Sequence, residues 1–182
     1  MALKFTTSYL EDAIEVFRYY KRLADGAICQ LTDEQLFATL DPEMNSVAII
    51  VKHMSGNMVS RWSDFLESDG EKASRNRDGE FEEPAKTREA VMECWERGWQ
   101  VLLGTLEGLA EEDLQRTVTI RGEAHSVMQA INRQMAHYPY HCGQIVFLAK
   151  HLRSAEWKSL SVPRKGSEEF NRMVAAELAS QR

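Results

Sequence analysis

Cysteine is scarce in this 182-residue chain: Cys29, Cys94 and Cys142 lie far apart, are odd in number and form no C-x-x-C pair. That argues against a disulfide framework and against a thiolate zinc site, and free thiols suit a reducing compartment. Proline (4) and glycine (10) are too few for collagen-like or low-complexity sequence. Basic residues are outnumbered, 22 Lys and Arg against 28 Asp and Glu, for a net charge of -6. A negative field repels a phosphate backbone, so nucleic acid is not an expected partner. The longest apolar run is Val47 to Val51, far short of the ~20 residues that cross a bilayer. Met1 to Tyr9 lacks the basic-then-apolar pattern of a secretory leader. No membrane partner is expected, and the expected location is the cytoplasm.

What the chain has is helical periodicity. Leu10, Ala13, Ile14, Phe17, Tyr20 and Ala24 recur at i, i+3, i+4, i+7 and predict a first helix over 8–25. Thr32-Asp33-Glu34-Gln35 fits a capping box for a short helix bearing Leu36 and Phe37. Asn45 or Ser46 caps a second long helix, with Val47, Ile50, Val51, Met54, Met58, Trp62 and Phe65 on one side, predicted to stop near Ser68. Residues 68–83 show no period and read as a crossover loop. Pro84 is placed in the first turn of a third helix with Val91, Trp95, Leu102, Leu106 and Leu109 as its stripe. Thr117 to Ile120, before Arg121-Gly122, reads as one arm of a small hairpin. Ser126-x-x-Gln129 is a second capping box. It opens a fourth helix in which Met128, Ile131, Met135, Tyr138, Cys142, Ile145, Ala149 and Leu152 alternate three and four apart. The predicted architecture is an all-α four-helix bundle with crossover loops over 1–153. A loop and short helix over 154–182, capped by Ser167 and using Phe170, Met173, Val174 and Leu178, pack on it.

Five histidines are present, and two of them, His137 and His141, stand four apart on the fourth helix. Residues at that spacing share a helix face with Cβ atoms about 6 Å apart. Two nitrogens on one tetrahedral ion lie roughly 3.3 Å apart, so the pair can chelate. A third ligand must come from another helix, and His53 is the best placed, on a second helix whose first half is apolar all round. The alternative for each histidine is a core ring bonded to a backbone carbonyl. Pro139, between the pair, removes a helical N–H and predicts a kink or bulge. His125 and His151 have structural explanations at a cap and a helix end, and Cys142 projects toward the core as an apolar residue rather than a ligand.

His53, together with His137-x-x-x-His141-Cys142-Gly143-Gln144-Ile145, resembles the metal motif of the DinB-like (YfiT-like) superfamily of metal-binding four-helix bundles. Asn45-Ser46-Val47, Lys52 to Asn57, Ser60-Arg61-Trp62 and Leu160-Ser161-Val162-Pro163-Arg164 resemble more narrowly an uncharacterised bacterial branch of it. The resemblance implies a zinc or nickel ion held by His53, His137 and His141, a homodimer, and kinship with bacillithiol transferases and mycothiol-dependent enzymes. Three neutral imidazoles leave an ion its double charge and open positions, a catalytic pattern. Such an ion would activate either a bound water or a bound thiol, and it is the resemblance that implies, as the expected function, a metal-dependent S-transferase activating a low-molecular-weight thiol such as bacillithiol against a small-molecule substrate. A metal-dependent hydrolase and a noncatalytic metal-binding stress-response bundle are the alternatives. Gln144, one turn beyond His141, and Asn57, one turn beyond His53, are candidates to orient the imidazoles. Either can instead make a solvent or bundle-end contact. Arg61 can bind a substrate carboxylate or pair with Asp64 or Glu67. Arg164-Lys165-Gly166-Ser167 reads as an anion seat or as a solvated loop.

Overall fold

Four apolar stripes on four helices can be buried together only around a common axis, and the computed structural model, which describes residues 5–82, 85–176 and 178–179, has that arrangement. The long helices are α1 (Tyr9–Ile28), α3 (Val47–Trp62), α4 (Arg88–Glu107) and α5 (Val127–Arg153), with a short α2 (Asp33–Phe37) between the first two. Each starts behind a hydroxyl that accepts an otherwise unpaired backbone N–H: Ser8, Thr32, Ser46, Thr87 and Ser126. Around the bundle α1 packs on α5 and α4, and α3 packs on the same two, so helices consecutive in the chain need not be neighbours. Trp62, Trp95, Trp99, Phe17, Met54, Met58, Leu102, Leu106, Ile131 and Tyr138 are fully buried in the core. The Tyr138 hydroxyl accepts from the Trp62 indole at 3.1 Å and donates to Asn57 Oδ1 at 2.9 Å, which satisfies three polar groups inside an apolar layer.

The element boundaries differ from the sequence expectation in places. α1 continues to Ile28. α3 stops at Trp62, not near Ser68: Ser63 is extended, Asp64 turns left-handed at φ 47°, and the Thr105 hydroxyl takes the orphaned Trp62 carbonyl at 2.9 Å. Phe65 is buried all the same, from outside the helix. α4 opens at Arg88 behind Thr87 and ends at Glu107, so Leu109 lies beyond it; Pro84, expected in its first turn, lies outside the described residues. α5 is α-helical through Pro139 with no bulge. In α6 (Ser167–Ala175) Ser167 is the first helical residue instead of the cap, no residue is buried, and Leu178 lies past its end, exposed. Trp157 and Leu160, in the segment before it, pack on the core.

Between α4 and α5 the strands β1 (Thr117–Ile120) and β2 (Glu123–Ser126) pair antiparallel, Thr117 opposite Ser126 and Ile120 opposite Glu123. Their two-residue turn puts both Arg121 (φ 57°) and Gly122 (φ 78°) in the left-handed region, as a type I′ hairpin requires. The Asp69 carboxylate accepts the N–H groups of both turn residues at 2.9 and 2.8 Å, and Gly70 N–H donates to the Thr119 carbonyl at 2.8 Å. The crossover loop after α3 is thereby stitched to the hairpin.

Candidate metal centre

His53 leaves the middle of α3, and His137 and His141 leave the middle of α5, at the seam where these two helices meet. The structure brings the three rings together. His137 Nε2 stands 3.4 Å from His53 Nε2 and 3.1 Å from His141 Nε2. One ring nitrogen from each of the three lies within 4.8 Å of the other two. His53 is buried and the other two are half-buried.

The opposite nitrogen of every ring faces a side-chain oxygen: His53 Nδ1 and Glu80 Oε2 at 2.9 Å, His137 Nδ1 and Gln134 Oε1 at 3.0 Å, His141 Nδ1 and Gln144 Oε1 at 2.7 Å. A carboxylate or amide oxygen only accepts, so each Nδ1 carries the hydrogen and each Nε2 is left to face the other rings. Outer partners of this type fix the tautomer and orientation of metal-ligating histidines. Burial, with the neighbouring rings His141 and His53 adding to it, pulls His137 down to about 3, and burial also lowers His141. Both are therefore neutral at pH 7, the form that binds a metal. The donor set, three imidazole nitrogens with a carboxylate behind one of them, suits a divalent transition ion.

Glu80 sits on a single 3₁₀ turn (Asp78–Phe81) in the segment between α3 and α4. Its two oxygens take a forked pair of bonds from Arg75 Nε and Nη2, both at 2.8 Å, while Arg75 Nη1 reaches Glu71 at 3.0 Å. Burial pushes the Glu80 carboxyl up, but the bonds from His53 and Arg75 outweigh it and hold the group below the usual carboxylate range. Phe81, from the same turn, covers the His53 ring with centroids 4.5 Å apart. Gly56 makes this approach possible, since a Cβ there would collide with the Glu80 carboxylate.

The residues singled out from sequence fall differently. Gln144 meets His141 directly. Asn57 does not touch a histidine ring through its oxygen; that atom is taken by the Tyr138 hydroxyl. Arg61 faces neither Asp64 nor Glu67 but Glu71, at 3.8 Å. Cys142 is buried, and burial pushes its thiol up to about 12, as expected of an apolar filler. His125 is on β2 opposite Val118, and His151 is exposed in the last turn of α5. Arg164 and Lys165 are exposed in the loop before α6. Glu80 and Gln134 are not among the candidates from sequence. Gln134 repeats the three-residue offset from a histidine that Gln144 shows and was findable that way; Glu80 lies in an aperiodic stretch and has no sequence signal.

A cavity of about 530 Å³ opens in front of the three rings, between α3, α5, the hairpin turn and the Glu80 turn. A larger cleft of about 670 Å³ between α3, α4 and the crossover loop is lined by no histidine. Among the described residues no helix is long and apolar enough to cross a membrane. A family model described as "Protein of unknown function (DUF1572)" matches residues 4–166. No curated protein and no solved structure matches the chain.

Proposed function

The chain belongs to the family described as Protein of unknown function (DUF1572), and from its histidine cluster we propose that it is a divalent-metal-dependent enzyme acting on a small molecule. His53, His137 and His141 hold the ion, zinc or nickel, through Nε2. The observation that carries this reading is the paired arrangement at each ring: one nitrogen spent on a protein oxygen, the other turned to a shared point. When bound, the ion supplies a doubly charged Lewis acid that favours the anionic form of a thiol or water.

The chain's own groups do the rest. Glu80, Gln134 and Gln144 keep the rings in one tautomer and one orientation. Phe81 and the buried flank of α3 keep bulk water off His53. The cavity admits a molecule beside the cluster, which a purely structural site, closed on all sides, would not need. The reaction class we propose is S-transfer, with a low-molecular-weight thiol such as bacillithiol as cosubstrate and a small electrophile as acceptor. The resemblance of the histidine motif to DinB-like metal-binding bundles supports that choice. It also supports a homodimer, and the three unpaired cysteines suit a cytoplasmic site of action.

Elemental analysis of protein purified without an affinity tag tests the metal, with one zinc or nickel per chain expected. Turnover of bacillithiol and related thiols with a chloroaromatic acceptor, before and after chelation, tests the reaction. Metal-linked hydrolysis of esters without thiol transfer would move the activity to a hydrolase, and full metal with no turnover would leave a metal-binding bundle. A chain that takes up no transition metal would overturn the proposal at its root.

A further inference from the structure

The chain as a whole carries a net charge of -6, yet among the described residues the cavity before the histidines is lined by Arg61, Arg75, Arg77, Arg121 and Arg133 and by no carboxylate. Neighbouring acids offset only part of this. Glu80 is taken by Arg75 and His53. Glu71 alone serves three guanidinium groups, at 3.0 Å from Arg75, 3.4 Å from Arg121 and 3.8 Å from Arg61. Arg77 has Asp78 at 4.0 Å and lies over the Phe81 ring. Arg133, exposed on α5, has no ion pair among the described residues.

Arg61 is the telling case. It is only 3 % exposed, and its Nε and Nη1 have no hydrogen-bond partner among the described residues. A buried cation with unspent donors is costly, and in folded proteins such donors are normally met by a ligand or an ordered water. Gly70 leaves the room it occupies, since a Cβ there would come within 2.8 Å of Nη1. Arg121 is held in the left-handed region by Asp69, a strained backbone at the residue that brings its side chain to the cavity.

We infer that the cavity binds a small molecule bearing an oxyanion, a carboxylate or phosphate group, with Arg61 at its floor and Arg133 at its mouth and the reacting end toward the histidine cluster. Guanidinium forks match the geometry of both groups. Arg133 lies one helical turn from His137, about 6 Å along α5, and Arg61 two turns from His53, about 12 Å along α3. The anionic group and the reacting atom are then separated by roughly 6–12 Å, the length of a metabolite rather than of a polymer. This names the substrate class of the proposed enzyme and rests on that reading only for which end reacts.

The test is calorimetric titration of the full chain, metal-free and zinc-loaded, with inorganic phosphate and with malonate, and with glycerol as the uncharged control. Binding of at least one of the two anions to both forms is expected, with none for glycerol, and the tighter anion tells phosphate from carboxylate. Arg133→Ala, at an exposed position, should weaken that binding at least about tenfold while metal content is unchanged, and Arg133→Lys should recover part of it. Arg61→Met should do the same, with circular dichroism reporting its fold. The inference is overturned if neither anion binds, if Arg133→Ala binds as the parent does, or if binding occurs only with zinc present, because the ion rather than the arginines would then hold the anion. A chain that takes up no metal yet binds anion through Arg133 would sink the metalloenzyme reading and leave this one standing.

Discussion

A histidine ring on a flexible side chain is a poor ligand until something holds its far nitrogen, and here three different residues do so. Glu80 does it with charge as well as geometry, so Glu80→Gln should bind zinc about 10–100-fold more weakly, read by competition with a chelating dye. His141→Ala should lose tight binding altogether, whereas His125→Ala, altered on the hairpin, should keep the parental metal content. Equal metal in these last two variants would assign the site to the wrong rings. At this scale the sequence was informative wherever chemistry and helical spacing coincided. The four-residue step from His137 to His141 and the apolar surroundings of His53 point to three rings at one place, with core rings bonded to backbone carbonyls as the open alternative until the resemblance of the motif is added. Asn57 has the right spacing for the same task, but its oxygen is taken by the proton of the Tyr138 hydroxyl, which α5 brings into the core beside it. Glu80 comes from a stretch with no period, and its position depends on a contact across 27 residues.

Elements show the same division between local and distant causes. Caps and apolar stripes predict where α1, α2 and α5 begin, because a hydroxyl and an N–H three residues on decide the matter locally. The end of α3 is set from elsewhere, by Thr105 of α4 closing on the Trp62 carbonyl. Two glycines of α4 make the contrast measurable. A Cβ at Gly98 would stand 2.9 Å from the Ser55 backbone, so the overpacking cost of about 1–3 kcal/mol should exceed the helix-propensity gain of up to about 1 kcal/mol. Gly98→Ala should therefore lower the urea midpoint. Gly104 has nothing within 4 Å, and Gly104→Ala should raise it. The hairpin supplies a pH test. The N–H groups of Glu71, Gly122 and Arg121 hold the Asp69 carboxyl below its ordinary value of 3.8. The folded pKa lies below the unfolded one, so the stabilisation from Asp69 is complete above about pH 4 and fades as pH falls through the lowered value. Urea unfolding of the parent and of Asp69→Ala should differ most near neutrality and converge on acidification. A gap that stays constant would assign the effect of Asp69 to packing.

For the whole molecule, a ligand that binds the native state alone stabilises it by mass action, by about 2.7 kcal/mol at a hundredfold excess over Kd. For a chain of this size each kcal/mol moves the midpoint by about 2–4 °C. Zinc should thus raise Tm by roughly 5–11 °C, and a chelator should return it; an unchanged Tm at saturating zinc would mean that the ion is not held by folded protein. The bundle has four helix–helix edges, and the histidine cluster lies on one of them, between α3 and α5. There part of the apolar packing found along α3–α4 and α1–α5 is replaced by ring nitrogens and their oxygen partners. An ion held by the rings would tie that edge directly and the tryptophan-filled remainder only through it. Amide hydrogen exchange would expose the asymmetry: amides in the middle of α3 and α5 that exchange by local opening of that edge should slow when zinc is added, locally opening amides of α1 and α4 should not, and amides that exchange only through global unfolding should slow alike in all four helices.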